Sequence, residues 1–162
     1  MSKNIFCLLF LSLLFISCEK DDICNEGTPG TPNLVIRFFD KDNPAERKVA
    51  ENISIKEINQ EQIYRILSSD SITIPMDLSK NFTRYAFILP SSTANLTIAD
   101  TLQFNHSNRR DQYSRRACGF SAAYELDNPA ITTIGSITWY AYSVTQLDTI
   151  RNEEQAHLFI YH

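Results

Sequence analysis

The chain has 162 residues, 15 Lys and Arg against 19 Asp and Glu, and a formal charge of -4. That length supports one domain with a real core, and a mildly acidic balance excludes the dense positive charge that nucleic-acid binding needs. With 43% hydrophobic residues and no repeat or low-complexity stretch, the composition is that of a folded domain.

The N-terminus carries the strongest signal. Ile5 to Ile16 is an apolar run of 12 residues behind Lys3. A membrane-spanning helix needs about 20, so the run fits the hydrophobic part of an export signal. Leu14-Phe15-Ile16-Ser17-Cys18 resembles a lipobox, the site where bacterial lipoproteins are cut and acylated, with Phe15 bulkier than the usual residue there. An ordinary secretory signal or an anchor helix is the alternative. The cysteine at the end of the run and the acidic residues directly after it favour lipidation. Residues 1–17 are therefore expected to be a cleaved signal, with Cys18 as the lipidated first residue. Glu19, Lys20, Asp21 and Asp22 resemble the surface-export tag of Bacteroidota lipoproteins. The expected location is the outer membrane, lipid-anchored and on the cell surface, with its periplasmic face as the alternative.

Cleavage would leave 145 residues and a charge of -5. Cys7 leaves with the signal and lipid consumes Cys18, so one pair remains. Cys24 and Cys118 are expected to form a disulfide, the usual state of a cysteine pair outside the cytosol; two buried free thiols are the alternative. Residues 18–32 form an acidic tether and a Gly/Pro linker. Cys24 lies six residues after Cys18, so a bridge at Cys24 limits the tether to about 20 Å.

Residues 33–162 are expected to form an all-β domain. Leu34 to Phe39 is apolar on both faces. Asp40 to Pro44 is a turn; its Asp40, Asp42, Asn43 and Glu46 lack the full register of a calcium loop. Period-2 patterns follow at Ile53 and Ile55, at Ile72 to Leu78, at Tyr85 to Leu89 and at Leu102 to Phe104. Pro75 marks an edge or a strand end. Gln112 to Leu126 reads as one or two strands broken near Gly119. Ile137 to Val144 reads as a strand, and Leu158 to Tyr161 as the last. Glu57 to Leu67 is the one segment with a helical alternative. About eight or nine short strands with turn signals between them predict a single-domain antiparallel β-sandwich.

No constellation names a reaction. His106, His157 and His162 have no metal spacing and are expected at the surface. Gly119-Phe-Ser121 lacks the second glycine of a nucleophile elbow. Arg109, Arg110, Arg115 and Arg116 flank Tyr113, a local basic patch on a charged hairpin that could meet an anionic glycan or a partner. Asp70-Ser-Ile, Asp100-Thr-Leu and Asp148-Thr-Ile resemble the acceptor motif of Bacteroidota protein O-glycosylation, which would place sugars on exposed Ser71, Thr101 and Thr149. About 0.6 such triplets arise by chance in average composition. Trp139, Tyr140 and Tyr142 are the first aromatics to inspect for binding, with core packing as their other role.

The whole set resembles an uncharacterised family of small Bacteroidota envelope lipoproteins. The match lies in Cys18-Glu-Lys-Asp-Asp-Ile-Cys24, Gly27-Thr-Pro29, Pro32, Leu34 to Phe39, Arg116-Ala-Cys-Gly-Phe120 and His157-Leu-Phe-Ile-Tyr161. The resemblance implies an envelope lipoprotein and supplies no catalytic residue. The expected function is a non-enzymatic binding or accessory module, held to the membrane by lipid and meeting an outer-membrane protein or an envelope polysaccharide. The alternatives are an envelope hydrolase whose site is assembled only in space, and a purely structural surface protein. No cofactor, metal or nucleic acid is expected.

Overall fold

The computed structural model describes residues 23–28, 30–89 and 98–162. The signal segment, Cys18 and the tag Glu19, Lys20, Asp21 and Asp22 lie outside the described residues. The fold is all-β, two packed sheets with no helix among the described residues.

The first sheet is built on β1 (Leu34–Phe39). Leu34, Ile36 and Phe38 are fully buried while Val35, Arg37 and Phe39 are half-buried, so the two-sided apolar pattern reflects one core face and one partly covered face. β4 (Ser71–Ile74) lies antiparallel on one side of β1, and β10 (Leu158–Tyr161) lies on the other. β8 (Tyr142–Thr145) closes the sheet in the order β4-β1-β10-β8. β4 stops at Ile74, before Pro75, and is an edge strand, where a missing N–H costs no ladder bond.

The second sheet contains β2 (Ala50–Glu57), β3 (Ile63–Ser69), β5 (Phe82–Leu89), β6 (Ile98–Arg115), β7 (Gly119–Ile134) and β9 (Thr149–Ile150), in the order β3-β2-β5-β6-β7-β9. Its inner face presents Ile53, Ile55, Tyr85, Phe87 and Phe104 to β1 and β10, all at most 2% exposed. Each such side chain contributes roughly 1.5–3 kcal/mol by leaving water.

Four expectations are corrected. Among the described residues the strands number ten, and β6 and β7 are long, 18 and 16 residues. The sandwich is not wholly antiparallel, because β1 and β10 run parallel with Ile36 opposite Leu158. The helical alternative for Glu57 to Leu67 fails. Ile63 and Leu67 are exposed and only Ile66 is buried, which suits an edge strand pairing Ile66 with Ile53. The strand expected from Ile137 begins only at Tyr142.

The last difference has a local cause. Asp100 is fully buried. Its carboxylate accepts the backbone N–H groups of Thr138, Trp139 and Tyr140 at 2.8, 2.7 and 2.8 Å, and the Thr138 hydroxyl at 3.0 Å. Those donors are taken out of any ladder. The turned segment carries Trp139 onto the core, where it stacks on Phe87 at 5.5 Å and on His162 at 4.4 Å. Asp100→Ala is expected to lower the unfolding free energy by about 3 kcal/mol, since it strands several inward N–H groups. Asp100→Asn keeps one acceptor oxygen and should lose less; urea titrations of both variants measure the difference.

Candidate functional site

β6 and β7 form a hairpin that outgrows its sheet. β5 pairs with β6 only from Ile98 to Asn105, and β9 pairs with β7 only at Tyr124 and Glu125. Beyond these points, Asn108–Arg115 and Gly119–Ala123 pair only with each other among the described strands. At about 3.3 Å per residue along Gly119–Ala123, this arm projects roughly 16 Å. Register shifts at Phe104/His106 and Ser107/Arg110 bend β6 where the arm leaves the body, and Asn108 takes φ +51 there. At the tip Gly119 has φ +70, a conformation that glycine adopts without the Cβ penalty.

An isolated two-stranded hairpin is marginal in water. The N-terminal segment reinforces this one. Cys24 is disulfide-bonded to Cys118, with Cα atoms 4.9 Å apart. The Ala122 N–H donates to Thr31 Oγ1 at 3.0 Å, and the Tyr124 hydroxyl donates to the Pro32 carbonyl at 3.2 Å. The described residues 24–28 and 30–32 therefore act as a strap, fastened to the tip at Cys24 and to β7 at Thr31 and Pro32. The segment read as a linker is pinned at three points, and its bridge sits in the turn between β6 and β7.

The tip is exposed and chemically mixed. Tyr113 and Phe120 are cross-strand partners with ring centroids 5.3 Å apart, yet they stay 57% and 67% exposed. Ile23, next to the bridge, is 71% exposed. Two arginines of the expected basic patch are paired with carboxylates. Arg109 contacts Asp111 at 2.6 Å and donates to the Leu78 carbonyl, and Arg110 contacts Glu125 at 2.8 Å. Arg115 and Arg116 occupy the end of the arm.

Other residues fall in different places. Trp139 and Tyr140 pack on the core, while Tyr142, 40% exposed, stacks on Tyr161 at 4.3 Å. Ser71, Thr101 and Thr149 are half-buried in β4, β6 and β9 rather than exposed. The Ser71 hydroxyl donates to the Ile36 carbonyl and that of Thr149 to Asp148, while Asp100 is wholly enclosed. The Asp40 turn uses its carboxylate locally, accepting the Asp42 N–H at 2.9 Å. A polar cleft of about 600 Å³ lies between the β7 bend at Pro129 and β8. Asp127 and Asp148 line it, Asp127 accepting a 2.5 Å hydrogen bond from Ser107. Among the described residues, no three His, Cys, Asp or Glu are grouped to hold a metal ion.

The histidines correct the surface expectation most sharply. His106, His157 and His162 are 2%, 1% and 7% exposed. The Val35 N–H donates to His157 Nδ1 at 3.0 Å, so Nε2 carries the proton and donates to the Asn152 carbonyl at 2.9 Å. A neutral imidazole satisfies both partners; an imidazolium cannot accept from Val35. His106 lies 3.0 Å from the Thr83 hydroxyl and against the Tyr124 ring. Sequence spacing could not show this, because Val35 is 122 residues from His157 and Thr83 is 23 residues from His106.

A family of unknown function, DUF6452, matches residues 52–162. The chain belongs to that family. The matched region includes the hairpin and Cys118 but starts after the strap and β1. No curated protein and no solved structure matches the chain.

Two outcomes follow from this geometry. Burial lowers the pKa of all three histidines from 6.5. The unfolded chain then binds more protons as pH drops past that value, so stability is complete above about 6.5 and declines below it. The urea midpoint should be lower at about pH 5 than at about pH 7.5, and His157→Gln should flatten the dependence. Cys24→Ser and Cys118→Ser should each cost about 2–5 kcal/mol in the same titration, with proteolysis of the arm rising before that of the body.

Proposed function

We propose that this chain is a Bacteroidota outer-membrane lipoprotein, acylated at Cys18 and carried to the cell surface by the Glu19-Lys20-Asp21-Asp22 tag. The observation that carries this reading is the apolar Ile5–Ile16 run ending at Ser17-Cys18. The Cys24–Cys118 bridge supports it, since such bonds persist in oxidising compartments. Each buried acyl methylene adds about 0.8 kcal/mol, so the several chains of a bacterial lipoprotein make a durable anchor.

In this reading the β-sandwich is a binding or accessory module for an envelope partner, an outer-membrane protein or a polysaccharide. Its support is an exposed aromatic pair on a projecting arm, a geometry suited to contact rather than to enclosing a small substrate. Sugars at Ser71, Thr101 and Thr149 are left out, because two of these hydroxyls are engaged and all three are half-buried in strands.

Palmitate labelling of cells producing the full chain tests the anchor. Label is expected on the wild-type protein in the outer-membrane fraction and lost from Cys18→Ala. Protease treatment of intact cells should then degrade the labelled protein. Equal label on Cys18→Ala would reject the lipid site, and full protection in intact cells would move the protein to the periplasmic face.

A further inference from the structure

We propose that the hairpin tip is a second membrane contact, seating Phe120, Tyr113 and Ile23 at the lipid interface with Arg115 and Arg116 at the phosphate level. This rests on the Cys18 anchor proposed above. Cys24 is the sixth residue after Cys18, a reach of about 20 Å at most. Cys24 is bonded to Cys118, in the turn between β6 and β7. Among the described residues, the chain following the anchor is therefore first fastened to the fold at the tip of the arm.

The side chains there suit that neighbour. Tyr113 and Phe120 share one face of the hairpin and are more than half exposed, the placement of interfacial aromatics at a bilayer. Arginine beside them can reach lipid phosphate with charge-assisted hydrogen bonds. Arg109, Arg110, Asp111, Arg115 and Arg116 give this stretch a net charge of +3 on a chain of -4. Glu19, Asp21, Asp22 and Glu26 offset that charge near the same end. Aromatic and aliphatic insertion therefore carries the contact, and it should survive raised salt. The arm then holds the sandwich roughly 16 Å off the bilayer, with the Ile98 end of the sheet pointing away from it.

The register supplies an internal control. Ile66 pairs with Ile53, Ser54 with Ile88, and Ile88 with Ala99, so Leu67 lies at the end of the sheet opposite the tip. Leu67 is 76% exposed. The full lipidated protein, as Phe120→Trp and as Leu67→Trp, is reconstituted in vesicles of phosphatidylethanolamine and phosphatidylglycerol. The vesicles carry a nitroxide-labelled lipid with its quencher just below the headgroup. Trp139, the native tryptophan, provides the same background in both variants. Emission from Phe120→Trp should be quenched about twofold more than that from Leu67→Trp, as expected for a residue at the headgroup boundary, and the difference should persist at high salt. Equal quenching in floated vesicles would overturn the contact and leave the anchor standing. Failure of the protein to float with the vesicles would overturn the anchor, and the contact with it.

Discussion

The bond between Cys24 and Cys118 governs how the N-terminal segment and the hairpin arm are arranged. It joins positions 94 residues apart, and closing so long a loop in the unfolded chain removes much of its entropy. Its location matters as much as its length. Among the described residues the far half of the β6–β7 hairpin has no third strand, and Cys24, Thr31 and Pro32 of the strap supply contacts there. Thr31 satisfies the Ala122 N–H, and the Pro32 carbonyl takes the Tyr124 hydroxyl. The same segment then feeds directly into β1, the strand that pairs β4 on one edge and β10 on the other. Arm, strap and first sheet are thus mechanically continuous.

The body solves a different problem, that of burying polar groups between two sheets. Asp100 does so with several backbone and hydroxyl donors aimed at one carboxylate. His157 does so as a neutral ring with a donor on one nitrogen and an acceptor on the other. Both residues tie distant strands to loops, and both would be costly to bury without their partners. The result is a core in which Trp139 lies between Phe87 and His162 because a carboxylate 39 residues earlier holds its backbone N–H.

Local periodicity made much of this fold legible. Leu34 to Phe39, Tyr85 to Leu89 and Leu158 to Tyr161 alternate as buried strands do, Pro75 marks the end of β4, and Gly119 marks the hairpin turn. Cysteine counting with the lipobox reading isolated the correct pair. What escaped was set by long-range pairing. Nothing in Ile36 or Leu158 announces that their strands run parallel. The length of β6 was hidden because residues 106–111 are polar and separate the Leu102 to Phe104 pattern from the strand read from Gln112. The histidines were misplaced because the strands and rings that bury them, with Val35 on His157 and Thr83 on His106, are remote in sequence. The exposed pair of Tyr113 and Phe120 was within reach, since the two flank a turn at equivalent positions. Their place in the proposed membrane contact needed the bridge, which fixes where the N-terminal segment meets the hairpin.

In this account a lipid at Cys18 and a bridge at Cys24 together orient a β-sandwich at the envelope through its longest hairpin. Intact mass spectrometry of the native protein, before and after reduction, tests both constraints at once. The account predicts a polypeptide starting at Cys18, carrying acyl mass and gaining two hydrogens on reduction. A mass that fits unmodified polypeptide, or one unchanged by reduction, would contradict it.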